Sequence, residues 1–260
     1  MAILSIRRSK LGLRLQESYF TSLAPEYVSY PGSRLVAKPD LGLVFCAAKP
    51  GVHAKPMTTL LLDLPQAETR LWQGLRRNYR RDIVAVRDDF SPEVVSAPDA
   101  QALRYFCRDY NELAHSQKLP ACNMSKLQAF QERQALIMTR LSDPADGQLL
   151  CTLIYIHNQR RTRLWFSVSR FRQLASDSRS RNQLAKAHRL LHWHDLLWFR
   201  AQGFQQYDFG GFALNASHKL QNINYFKQGF GGYLQHEFLN AHPYSRRGWL
   251  AMHYLLRKML

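Results

Sequence analysis

Two short segments of this sequence hold residues that could do chemistry together. Tyr207-Asp208-Phe209-Gly210-Gly211 closes an apolar run with a double glycine. Two missing side chains let a substrate come close there, and the backbone N–H groups of Gly210 and Gly211 can face an oxyanion or a phosphate. An ordinary strand-to-loop turn is the competing reading. Asp208 can orient an amine or accept its proton, and it can equally cap the next loop or pair with an arginine. Tyr207 and Tyr225 carry hydroxyls, although aromatic residues in such positions more often pack into a core. Further on, Tyr225-Phe226-Lys227-Gln228-Gly229-Phe230-Gly231-Gly232 places Lys227 one residue after Phe226 and one helical turn after Asn224. That spacing turns Lys227 toward the cleft expected at the glycine pair.

A third segment is basic. After Pro65, residues 66–87 have helical periodicity, with Leu71, Leu75, Tyr79, Ile83 and Val86 on one face. Arg70, Arg76, Arg77, Arg80, Arg81 and Arg87 fall on the arc opposite. Like charges repel along a helix, and Glu68, Asp82, Asp88 and Asp89 are the acids near enough to compensate. The pattern favours anion binding over a merely solvated face. His188 and His192 have an i, i+4 spacing that can hold zinc, with His194 close by, but no HExxH glutamate accompanies them. No metal site is expected.

The elements around these segments read as a mixed α/β chain. A hairpin is expected over residues 34–47, with arms at 34–37 and 43–47 and Pro39-Asp40-Leu41-Gly42 as its turn, followed by a strand at 58–64. Helices are expected at 99–117 and 125–135, the second capped by Ser125. Residues 137–141, 148–157 and 163–169 read as an antiparallel meander. A polar link at 176–181 leads to a long helix at 182–202 that ends at Gly203, and its apolar residues lie on several sides, as a helix buried between layers requires. A strand at 207–209, a helix at 219–228 and a strand at 233–239 follow. The last helix, 246–260, sets Trp249, Met252, Leu255, Leu256 and Met259 on one arc; docking on the domain is favoured over lying on a membrane.

The whole chain, 260 residues with 46% hydrophobic and 12% aromatic content, has enough apolar material for a packed core. Its 36 Lys and Arg against 19 Asp and Glu leave a formal charge of +17, which points to a phosphate-rich partner. Nucleic acid, an anionic membrane, a sugar nucleotide and coenzyme A all meet that description. Cys46, Cys107, Cys122 and Cys151 are dispersed without a CxxC pair, as expected for reduced thiols in a cytoplasmic protein. Arg7, Arg8, Lys10 and Arg14 interrupt the N-terminal stretch where a secretory signal needs apolar residues. No run reaches the roughly 18 apolar residues of a spanning helix, so membrane contact is expected to be peripheral at most.

The meander, the long helix, the YDFGG strand end and the following helix with FKQGFGG together resemble the FemAB-like members of the GNAT acyltransferase superfamily. The motifs cover residues 207–232, and the element order extends the likeness back to about Ser125. The run Leu75-Arg76-Arg77-Asn78-Tyr79-Arg80-Arg81 also looks like that family's arginine-rich segment. The resemblance implies a largely antiparallel sheet covered by helices, with a reduced N-terminal half at 1–98 and a complete C-terminal half at 99–260. It also implies an N-acyl or N-aminoacyl transferase acting on an amine-bearing sugar or peptide of the cell envelope; a cytoplasmic location is expected, with peripheral contact at the inner face of the membrane as an option. By the resemblance Lys227 alone takes the role of the lysine associated with the phosphate-bearing substrate and catalysis. On their own chemistry Asp208 and Tyr207 are further catalytic candidates, and Gly210, Gly211, Phe226, Arg76, Arg77, Arg80 and Arg81 are the substrate-binding candidates. No permanently bound cofactor is implied, and the donor is acyl-CoA or aminoacyl-tRNA. CoA-using members cradle pyrophosphate on a glycine-containing loop, whereas the corresponding residues 181–187 carry alanines instead. The rival readings are a nucleic-acid-binding protein that uses the arginine-rich helix with Trp72 and Tyr79, and a catalytically silent scaffold at a membrane surface.

Overall fold

The computed structural model describes residues 4–10, 12–21, 39–169, 178–214 and 217–258. The strands are β1 (Leu4–Lys10), β2 (Leu13–Tyr19), β3 (Leu41–Ala47), β4 (Ala54–Asp63), β5 (Glu93–Val95), β6 (Leu136–Ser142), β7 (Leu149–His157), β8 (Arg161–Ser169), β9 (Gln206–Gly211) and β10 (Tyr233–Pro243). The helices are α1 (Glu68–Gly74), α2 (Arg77–Val84), α3 (Ala100–Gln117), α4 (Met124–Gln131), α5 (Ser178–Ala201), α6 (His218–Gln228) and α7 (Arg246–Lys258). By contact density the chain divides into two compact units, one of Met1–Thr59 with Leu234–Leu260 and one of Leu60–Tyr233. The chain therefore leaves the first unit after Thr59 and re-enters it at Leu234.

In the first unit, β1 and β2 form an antiparallel hairpin about Gly12. The basic N-terminal stretch is thus a strand whose Arg8 pairs with the buried Glu17 of β2. β3 lies between β2, to which it is parallel, and β10, to which it is antiparallel. The second arm of the hairpin expected over 34–47 is this strand, and its first arm, 34–37, lies outside the described residues. α7 docks through Met252 on a core of Leu15, Leu41, Leu43, Leu239 and Ala241. Trp249 of the same helix stays half exposed against His253 instead of joining that core.

In the second unit, the strand order is β4-β9-β8-β7-β6-β5, with β4 entering at Leu60. β6, β7 and β8 form the expected antiparallel meander, and β9 adds parallel to β8 with Arg163 opposite Asp208. A parallel neighbour needs a crossover, which α5 supplies. α5 packs on β6 and on α2. Its Leu191, Leu196 and Phe199 are fully buried, which explains why apolar residues surround so much of its axis. Asp99 caps α3 by accepting from the Ala102 N–H, and Asn123, not Ser125, caps α4 by accepting from Lys126.

The continuous helix expected over 66–87 is interrupted. Leu75 and Arg76 are extended, with ψ of 143° and 146°, and they separate α1 from α2. The break has a tertiary cause: the Arg76 N–H donates to the Gly229 carbonyl at 2.9 Å instead of continuing a helical ladder.

Candidate active site

The Gly210-Gly211 strand end and α6 meet. Lys227 Nζ donates to the Gly211 carbonyl at 2.6 Å. One turn earlier on the same helix, the Asn224 side chain donates to the Ala213 carbonyl at 2.7 Å and accepts from the Ala213 N–H at 3.3 Å. Asn224 and Lys227 thus hold the segment that follows the glycine pair. In the sequence Asn224 marks only the helical phase of Lys227.

Gly210 has φ of 76°, and a β-carbon there would stand 2.9 Å from the Leu164 carbonyl oxygen, so both conformation and space call for glycine. A β-carbon at Gly211 would meet nothing within 4 Å. Gly210 is the structural member of the pair, and Gly211 faces the open side. The Gly210 N–H donates to Asp208 Oδ1 at 2.7 Å, which corrects the expectation that both N–H groups face a substrate.

Asp208 is fully buried. Its Oδ2 accepts from Arg161 Nε at 3.1 Å and from Arg163 Nη1 at 2.8 Å. Ionic hydrogen bonds of this kind are about twice as strong as neutral ones, and breaking one partner of a buried pair strands the other charge. The geometry makes Asp208 an anchor for the glycine turn and two arginines, which was one of its alternatives. Arg161 and Arg163 were missed, although an Arg-x-Arg alternation puts both side chains on one face of a strand.

Lys227 is half buried, and its pKa falls to about 8. Burial is the main cause; Asp208 acts in the opposite direction and Arg163 adds to the lowering. A lysine tuned to that range is a cation at neutral pH that can release its proton, as proton-transfer chemistry requires.

Tyr207 is placed elsewhere. Its ring is fully buried, and its hydroxyl lies 2.7 Å from that of Tyr155 and 3.0 Å from His192 Nδ1, in the core and not beside the glycine pair. Phe226 is half buried and packs on His188, His192 and Phe230 with its ring turned inward, forming the wall behind Lys227.

The arginines divide by function. Arg76 stacks on Tyr225, its carbon centre 3.7 Å from the ring, and Nη1 donates to the Tyr225 carbonyl at 3.0 Å. Arg80 donates to the Gln73 carbonyl. Both fasten backbone. Arg77 and Arg81 are exposed on α2, where an anion can reach them. Tyr79 lies flat under Gly229 and donates its hydroxyl to the Phe226 carbonyl at 3.1 Å. The arginine-rich segment thereby clamps the C-terminal end of the helix that carries Lys227.

Residues 181–187 lie within α5, and from Asn182 onward their N–H groups are bonded within the helix. They form no phosphate loop. His188 and His192 face each other at 4.9 Å between ring centres, and burial, followed by the Arg189 charge, lowers the His188 pKa to about 4. Among the described residues, no three His, Cys, Asp or Glu side chains gather as a metal would need, and no helix is long and apolar enough to cross a membrane.

No protein-family model and no curated protein matches the sequence. Solved structures do match by shape. FemX superposes with a TM-score of 0.55 at 11% identity, over 70% of this chain and 61% of FemX. L-PGS from Bacillus licheniformis gives 0.49 at 12% identity, over 84% of this chain and 72% of that one. A tandem GNAT protein from the clavulanic acid biosynthesis pathway gives 0.42 at 13%, over 93% and 83%. The chain therefore spans less than two thirds of the length of FemX. At such identities the likeness establishes the fold alone, that of FemX, in keeping with the mixed, largely antiparallel sheet covered by helices that the YDFGG and FKQGFGG motifs led one to expect.

Proposed function

We propose that this chain, built on the fold of FemX, is an N-acyl or N-aminoacyl transferase that forms an amide on an amine-bearing sugar or peptide precursor of the cell envelope. The observation that carries the reading is the contact of Lys227 with the carbonyl of Gly211, at 2.6 Å beside an open glycine. In the reaction an uncharged amine attacks the acyl carbonyl carbon, so that a C–N bond forms and the bond from acyl to carrier breaks. The Lys227 ammonium stabilises the oxyanion as it develops and hands its proton to the departing thiolate or alkoxide. It is recharged by the proton that the new amide nitrogen sheds. Acyl carrier plus amine thus gives amide plus protonated carrier, with no covalent enzyme intermediate.

The donor is a phosphate-bearing carrier, acyl-CoA or aminoacyl-tRNA, with exposed Arg77 and Arg81 to attract it. The test incubates purified protein with each donor class and a panel of amine-bearing sugars and peptides, and follows amide products by mass spectrometry. Amide from one donor class and its loss in Lys227→Met support the reading. No product from either class, or Lys227→Met as active as the parent protein, would sink it.

A further inference from the structure

Behind the wall of the cleft runs a buried line of hydrogen bonds. Thr139 Oγ1 donates to Asp195 Oδ2 at 2.8 Å, and the Tyr155 hydroxyl donates to the same oxygen at 2.6 Å. The Tyr155 and Tyr207 hydroxyls are 2.7 Å apart, and Tyr207 is 3.0 Å from His192 Nδ1. None of these five side chains is more than 1% exposed. Bulk solvent does not reach them, and each neighbouring pair is within direct hydrogen-bond distance, so the protons are arranged among the groups themselves.

Counting them gives the line a direction. Each phenol has one proton to donate. Burial pushes the Asp195 pKa up, and the polar groups of His194, Tyr155 and Thr139 beside it push it down. With Asp195 ionised, the proton of Tyr155 goes to its carboxylate, so the Tyr155 oxygen can only accept from Tyr207. The proton of Tyr207 is then spent, and its oxygen can only accept from the ring. His192 must therefore carry its proton on Nδ1 and keep a lone pair on Nε2. Its ring is enclosed by Phe209, Phe226 and Phe230 at centroid distances of 5.9, 5.5 and 5.2 Å. Burial, His188 and Lys227, in that order, hold its pKa well below the ordinary histidine value.

We propose that Asp195, Tyr155 and Tyr207 form a one-way relay that fixes His192 as the Nδ1–H tautomer, making His192 a positioning residue that keeps an uncharged imidazole in the wall behind Lys227. An imidazolium at that place would repel the ammonium and weaken the cation on which transfer depends. This deepens the transferase reading, and rests on it for the part played by Lys227.

The relay is tested by long-range 1H–15N correlation spectra of histidine-labelled full chain at pH 7, with the His192 signals assigned by their absence in His192→Asn. The expected pattern is a protonated Nδ1 and an unprotonated Nε2. Tyr155→Phe removes the acceptor for the Tyr207 proton, which then turns to Nδ1, so the pattern should invert to Nε2–H. A wild-type ring protonated on Nε2, or on both nitrogens, overturns the proposal, because a protonated Asp195 would reverse every donor in the line. A folded Tyr155→Phe with an unchanged pattern overturns it as well. Should Tyr155→Phe not fold, the wild-type spectrum decides alone. An inverted or doubly protonated ring with intact amide formation would remove the relay and leave the enzyme; the expected tautomer without amide formation would do the opposite.

Discussion

Lys227 and Gly211 are joined by a charged hydrogen bond of 2.6 Å from ammonium to backbone carbonyl, so a substrate that recruits the ammonium must share it with the strand end. Replacing Lys227 by Met should lower kcat by about 10²–10³-fold, the usual cost of removing an oxyanion donor. Lys227→Arg should retain part of the rate, because charge survives while the point geometry does not. Steady-state kinetics on the best donor and acceptor pair measure both.

The pKa of Lys227 also predicts how stability changes with pH. Below pH 8 the group is charged in both the folded and the unfolded chain. Between about 8, its folded value, and the ordinary lysine value of 10.5, the unfolded chain binds more protons. Stability attributable to Lys227 should therefore rise across that window. The melting temperature of wild type minus that of Lys227→Met should increase from pH 8 to pH 10; a flat or falling difference contradicts the assignment. Activity that depends on the ammonium should decline over the first part of the same interval.

Asp208 makes a third prediction. Truncation to Ala removes the buried carboxylate bonded to Arg161, Arg163 and the Gly210 N–H, so denaturant unfolding should show a loss of about 3–5 kcal/mol. Asp208→Asn keeps an acceptor for the Gly210 N–H but loses the charge, and should fall between Ala and wild type.

The two glycines should separate folding from turnover. Gly210→Ala forces a side chain into a left-handed conformation against the Leu164 carbonyl and should cost more than about 1 kcal/mol in unfolding experiments. Gly211→Ala meets no neighbour, so its stability should stay within about 0.5 kcal/mol of wild type. Its activity should nonetheless fall if substrate occupies that space.

Exposed and engaged arginines should behave differently as well. Arg77→Ala with Arg81→Ala should weaken donor binding and flatten its salt dependence with little change in melting temperature. Arg76→Ala removes the stack on Tyr225 and a backbone bond, and should lower the melting temperature.

Much of the second unit was legible in its sequence because its signals are local. The β6 to β8 meander, α5, β9 and α6 follow from period and turn chemistry, and the glycine pair and Lys227 do meet. The failures lie where distant parts of the chain decide. Gly74, the last residue of α1, is a local mark of the break that the helical periodicity of 66–87 overrides, while the Gly229 carbonyl that receives the Arg76 N–H lies far along the chain. Tyr207 looked like a site hydroxyl because alternation along β9 does not reveal that its partners are Tyr155 and His192. β1 was obscured by charge: Arg7 and Arg8 invited a question about targeting, while Leu4 and Ile6 were already marking the buried side of a strand. Arg161 and Arg163 could have been found by the same two-residue period.

The ring of Tyr79 fills the volume that a β-carbon at position 229 would need, with ring atoms only 2.2 Å from where that carbon would sit. The constraint runs in one direction. In descendants of this sequence, a side chain at 229 should appear only where the ring at 79 has first been lost, so the history of one segment constrains the mutations open to the other.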